Sequence, residues 1–277
     1  MRISTNNFDA LRFLAASMVL VSHAVPITFG DNQHEILFRI SGGQTTAGEL
    51  AVVVFFAMSG YLIAASYLRS NSASAFLAAR GLRIIPALAV TVLITALLIG
   101  PCVTSLSMAD YFSANGTWRF LWRNMLIRQN GDLPGVFPGN PIQGIVNGSL
   151  WTLEYEVECY GVILCLGVLG FLGKYPVLAV WILGLIASAL WFGGAFGPFF
   201  SVFIGGALLR VWKVPMDGRV AGVWTVPARI PAVRGDIRGL RRLVPGALVL
   251  HPASRAQPAW RSFPTVSTSG RIPSSNA

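Results

Sequence analysis

Six long apolar runs, at residues 11–29, 50–68, 84–103, 152–172, 176–192 and 195–211, constrain this chain more than any other feature. Each is close to the roughly 17 to 25 residues that a helix needs to cross a hydrocarbon layer about 30 Å thick. A bilayer core offers no water to backbone N–H and C=O groups, so a spanning segment must pair them internally. None of the runs alternates strictly, as barrel strands would, which leaves helices as the spanning form. The expected fold class is all-α, a polytopic integral membrane bundle with about six spanning helices. Composition agrees: 54% of the 277 residues are hydrophobic and 12% charged, with a mean hydropathy of +0.62, too apolar for a soluble domain of this length.

A formal charge of +10 would suggest a polyanionic partner. The charge is unevenly spread, however. From residue 215 onward there are nine arginines and two aspartates, a net +7 that leaves only +3 for everything before. Residues 1–213 therefore read as the membrane domain, with the lipid bilayer and not nucleic acid as its partner. Residues 214–277 read as a separate basic tail, with eight prolines, no lysine and no apolar run of spanning length. Such a composition suits a disordered segment or translation in a shifted frame, and the second is the expectation, making the membrane domain incomplete.

Arginine and lysine near the span ends set orientation. A cytoplasmic N-terminus puts Arg2, Arg69, Arg80, Arg83, Lys174, Arg210 and Lys213 inside, against Arg39, Arg119, Arg123 and Arg128 outside. The expected location is a bacterial inner (plasma) membrane. In the outer segment 118–125, Trp118, Trp122 and Met125 share one helical face with Arg119 and Arg123 beside it, which suits either a helix lying in the interface or a partly buried loop helix. Cys102, Cys159 and Cys165 fit no metal-binding or CxxC spacing and read as packing residues, so no metal is expected.

Three constellations carry chemistry. Arg12 and His23 lie in the first apolar run, eleven residues apart, which is about 20° from three full helical turns and a separation of about 16 Å along one face. Ionisable groups inside a span are costly and default to a functional reading, and a neutral imidazole is suited to act as general base toward a hydroxyl. Against this, Arg12 would also snorkel to the interface. Second, Glu154, Glu156 and Glu158 enter the fourth run together. Glu154 and Glu158 share a face and suit a solvated helix start, whereas Glu156 points about 200° away from Glu154. Glu156 lies deeper, where it would pair with His23. Third, Arg80 and Arg83 are neighbours on one face at a span boundary, as positive-inside anchors or as two guanidiniums suited to phosphate groups.

Together these segments resemble the membrane-bound acyltransferase-3 family. Phe8-Asp9-Ala10-Leu11-Arg12-Phe13-Leu14-Ala15 followed by His23 is similar to its first helix. Phe55-Phe56-Ala57-Met58-Ser59-Gly60-Tyr61-Leu62-Ile63 resembles its second-helix signature. The stretch from Arg80 to Pro86 is similar to its Arg-Ile-Tyr-Pro-like segment, with Ile85 in place of the aromatic residue. Trp151-Thr152-Leu153 through Glu156 and Tyr160 resembles its Trp-x-Leu-x-x-Glu motif. Members O-acylate sugars of surface polysaccharides, lipopolysaccharide, nodulation factors and some macrolides, and normally continue with further spanning helices after the point reached here near Lys213.

The resemblance implies transfer of an acyl group from a cytoplasmic acyl-CoA, acetyl-CoA being the expected donor, to a hydroxyl of an extracytoplasmic sugar or polysaccharide, with no permanently bound cofactor. It implies that Arg12 engages the donor, that Arg80 and Arg83 hold its phosphates, that His23 is base or transient acyl carrier, and that Glu156 orients His23 and stabilises its imidazolium. A transporter or flippase is the alternative that a polar line through a span allows, and an inactive fragment is a third.

Overall fold

A computed structural model describes residues 5–128, 131–190 and 196–214. These residues are mostly helical, with no strand among them beyond two isolated bridges, Thr104 to Val136 and Asp132 to Ile145. Apart from its first residue, the basic stretch 214–277 lies outside the described residues, as does Arg2.

The first run folds as α1 (Thr5–Phe29) and is followed by a short α2 (Ile36–Ile40). Glu35 is buried and ties this connection together: its carboxylate accepts from Phe38 N at 2.5 Å, capping α2, and from Ala47 N at 3.0 Å. The next helix, α3 (Ala47–Ser70), starts in a capping box. Thr46 Oγ1 accepts from Glu49 N, and the Glu49 carboxylate accepts from Thr46 N, both at 3.1 Å, satisfying two N–H groups that a helix start leaves without partners.

The third run begins earlier than its apolar stretch. α4 (Ala73–Ile94), capped by Ser72, continues through a π-helical turn, Thr95–Ile99, into α5 (Gly100–Val103). Pro101 explains the irregular turn. In the wider turn Gly100 N–H bonds the Thr95 carbonyl, and the next carbonyl, that of Ala96, would look to residue 101, which has no N–H to give. The Tyr111 hydroxyl donates to it instead, at 2.8 Å in a buried position. Gly100 makes this possible, because a Cβ there would lie 2.0 Å from the Tyr111 hydroxyl oxygen. Burial pushes the Tyr111 phenol up from its ordinary pKa, so it remains the protonated donor that this bond requires.

Tyr111 belongs to α6 (Met108–Ser113), which leads into α7 (Asn115–Met125). α7 is two-faced: Thr117, Phe120 and Asn124 are buried, while Trp118 and Trp122 are exposed beside exposed Arg119 and Arg123. After a long loop the chain forms a 3₁₀ turn, Gly148–Leu150, then α8 (Trp151–Val168), α9 (Lys174–Leu190) and α10 (Phe196–Val211).

α3 is the hub, packing on α1, α4, α8 and α10. Its contact with α10 is backbone to backbone. A Cβ at Gly60 would lie 1.8 Å from the Phe203 carbonyl oxygen, and one at Gly206 would lie 2.1 Å from that of Ala57. Small residues at such crossings are how helices associate where lipid removes the hydrophobic drive between them. Around this crossing Phe56, Ile63, Tyr67, Phe76, Ile163 and Phe203 form one core, and Leu88, Val92, Tyr111, Phe120 and Val136 form a second under α7. Of the three cysteines only Cys159 is a packing residue; Cys102 and Cys165 are exposed.

The protein is a membrane protein. Phe8–Phe29, Ala47–Ser70 and Ala73–Val103 are long and apolar enough to span, and Lys174–Leu190 and Phe196–Val211 are shorter apolar helices. Large apolar side chains such as Phe13, Leu20, Val21, Leu82 and Val90 are exposed along their length, which lipid tolerates and water does not.

Candidate functional site

On α1 Ala15, Ser22 and Pro26 are buried, with Arg12, Val19 and His23 part-buried beside them. Arg12 and His23 therefore do share the inward side of one helix. They meet different surroundings. The Arg12 guanidinium lies 3.7 Å from Asp9, an ion pair exposed enough to hold it only weakly. His23 sits against the start of α3: a Cβ on Gly48 would lie 3.3 Å from His23 Cε1 and 3.0 Å from Ser22 Oγ.

The His23 ring is oriented by its own helix. Nδ1 is 2.9 Å from the Val19 carbonyl oxygen, which can only accept, so Nδ1 carries the proton. In the neutral ring Nε2 then holds the lone pair, the form required of a base toward a hydroxyl.

Glu156 does not supply that orientation, contrary to the expected pairing with His23. Its Oε1 accepts from Ser59 Oγ of α3 at 3.0 Å and from the Tyr160 hydroxyl one turn further along α8. The reason is position along α3: Glu156 engages it through Ser59, which points within about 20° of Gly48 after eleven residues but lies about 16 Å further along. His23 is thus level with the start of α3, and Glu156 with its middle.

Tyr160 is buried against the Phe203 ring of α10, 6.1 Å away between centroids. Ser59, Glu156 and Tyr160 therefore join α3 to α8. Arg80 forms no ion pair with a carboxylate among the described residues, and its Nε is buried without a hydrogen-bond acceptor. Arg83, one turn on, is exposed.

Arg210 of α10 resembles Arg80 in this respect. Its Nε is buried without an acceptor, and its guanidinium lies 5.8 Å from the centroid of the Tyr61 ring, which also stacks on Phe8. Sequence reasoning counted Arg210 only as a boundary charge and gave Ser59 no role. Nothing in the spacing along either helix announces which neighbouring helix each will face. Glu154 is held elsewhere, by an ion pair with Arg128 at 2.7 Å.

Comparison with known proteins gives this arrangement a context. A family model described as an acyltransferase domain matches residues 5–225, which takes in Arg12, His23, Arg80, Arg83 and Glu156. The chain is 38% identical over 156 residues to a protein named O-acetyl transferase from Shigella phage Sf6, covering 56% of this chain and 44% of that protein. It is 34% identical over 167 residues to Nodulation protein 10 of Rhizobium leguminosarum bv. viciae, covering 56% of this chain and 42% of that protein. The chain thus spans less than half the length of these curated relatives. No solved structure matches it.

Proposed function

As the chain belongs to the acyltransferase family whose model covers residues 5–225, we propose that it is a membrane O-acyltransferase. In this reading it moves an acyl group from acyl-CoA on the cytoplasmic side to a hydroxyl of a sugar or polysaccharide on the other side, in a bacterial inner membrane with the N-terminus cytoplasmic. The name of the phage relative favours acetyl as the acyl group. The observation that carries the reading is the pair on α1, an arginine and a histidine on one inward face with the histidine held as the Nδ1–H tautomer.

Arg12, nearer the donor side, engages the CoA or polarises its thioester carbonyl, and Arg80 and Arg83 hold its phosphates. His23 Nε2 takes the proton of the acceptor hydroxyl as that oxygen bonds the acyl carbon. The carbon–sulfur bond breaks, and the proton on the imidazolium passes to the leaving thiolate. The Val19 carbonyl keeps the ring oriented throughout, the role first expected of Glu156. Transient acylation of His23 would divide the same transfer into two steps and let the group cross part of the membrane on the imidazole.

The test uses membranes containing the chain, acetyl-CoA as donor and O-deacetylated lipopolysaccharide as acceptor. His23→Ala is expected to lower ester formation by about 10²- to 10⁴-fold, the usual contribution of a general base, and Arg12→Ala to lower it as well. Unchanged ester formation in His23→Ala would overturn the assignment.

A further inference from the structure

We propose that α7 lies in the bilayer surface beside the bundle and binds anionic phospholipid, with Trp118 and Trp122 entering the outermost acyl layer and Arg119 and Arg123 meeting lipid phosphates. The proposal is independent of the chemistry at His23.

The helix has three sides. At 100° per residue, with Trp118 taken as zero, Trp122 points to about 40°, Arg119 and Arg123 to about 100° and 140°, and Phe120, Asn124 and Thr117 to about 200–260°. The last three are buried, Trp118 and Trp122 are 45% and 65% exposed, and both arginines are exposed. The buried side docks on α4, where Phe120 joins the core of Leu88, Val92 and Ala96. A helix on a water-facing surface needs two sides, one for the core and one for solvent. The exposed indoles of α7 add a third, turned about 100° from the arginines, so that one side can enter lipid while the other stays among headgroups. The charge is uncompensated: α7 contains no acidic residue, and neither arginine forms an ion pair among the described residues.

Hydrogen bonds set the depth. The Tyr111 hydroxyl donates to the Ala96 carbonyl at 2.8 Å, and Thr117 Oγ1 donates to the Tyr111 carbonyl at 2.7 Å, so the first turn of α7 is tied to Ala96 through one tyrosine. Ala73–Val103 has 31 residues. Centred in a bilayer, it puts Ala96 about 12 Å from the midplane, against about 15 Å for the hydrocarbon edge. Aromatic belts and amphipathic surface helices lie at that depth. The Trp118 indole N–H donates to the Phe112 carbonyl at 2.8 Å, so the ring offers lipid its apolar surface without burying an unpaired donor. Exposed Met108, Phe112 and Leu126 add apolar surface on either side of the helix in sequence.

The test places the chain in nanodiscs of mixed phosphatidylcholine and phosphatidylglycerol, with one lipid at a time carrying bromine on its acyl chains. Bromine quenches tryptophan on contact, and subtracting the signal of Trp122→Phe from that of the unaltered chain isolates Trp122. Its emission is expected to be quenched more by bromine placed high on the chain than by bromine near the chain end, and more by brominated phosphatidylglycerol than by brominated phosphatidylcholine. Arg119→Gln and Arg123→Gln should each lower that preference about fivefold, the worth of one basic residue at an anionic surface, and high salt should lower it as well. Equal quenching by the two lipids, unchanged in the arginine variants, would overturn the binding of anionic lipid. Quenching of Trp122 by iodide in the water and not by bromine would show that α7 faces solvent, and quenching by neither would show that protein covers it; both outcomes overturn the placement. Trp118→Phe, which also removes the bond to Phe112, gives a second reading at the other indole, and if it fails to fold Trp122→Phe decides alone.

Discussion

A buried carbonyl without a donor is the sort of local problem that a single side chain solves, and Ala96 shows it most plainly in this protein. Pro101 removes the N–H that its carbonyl would use, the π-helical turn leaves it facing inward, and Tyr111 supplies the bond. Tyr111→Phe is expected to cost about 1–3 kcal/mol, the usual penalty for a buried polar group left unpaired, measured as a lower unfolding temperature in detergent. An unchanged unfolding temperature would mean that the carbonyl is satisfied in some other way. The same scale separates what sequence reading reached from what it did not. Arg12 and His23 were legible because both lie on one helix, where spacing alone fixes the face. The partner of Glu156 was not legible, since it depends on how α3, α4 and α8 pack, and the Val19 carbonyl that orients His23 belongs to backbone that every helix shares.

At the scale of elements, all six apolar runs form helices, because nothing but internal pairing satisfies their backbones in lipid. The departures occur where polarity and helix-forming tendency part company. α4 starts at Ala73 and not at residue 84, since Arg80 and Arg83 lower hydropathy without breaking a helix and the Ser72 side chain caps its start. α7 buries Phe120 in the core, as a partly buried loop helix does, and turns Trp118 and Trp122 outward. The closeness of α3 to α10 was not legible at all; glycines are common here, and only packing reveals that Gly60 and Gly206 meet a backbone. Gly206→Val is expected to push the two helices apart and destabilise the bundle by about 1–3 kcal/mol or more, the range for overpacking. The measure is the yield of folded protein after extraction. Gly161→Val provides the control, because a Cβ there meets nothing within 4 Å. Equal yields for the two variants would contradict the close crossing.

For the whole molecule the account joins two regions that the bundle keeps apart. Arg80 and Arg83 lie together in the first half of α4, and His23 lies against the start of α3. An enzyme that takes its donor from one face of a membrane and serves an acceptor on the other needs such a separation. The most direct measurement is therefore one of sidedness. Vesicles containing the chain are loaded with radiolabelled acetyl-CoA, sealed, and given O-deacetylated lipopolysaccharide on the outside only. The account predicts labelled acetyl ester on the external acceptor with the vesicles intact and the CoA retained inside. No ester on the external acceptor, in vesicles that acylate the same acceptor once opened to it from within, would contradict it.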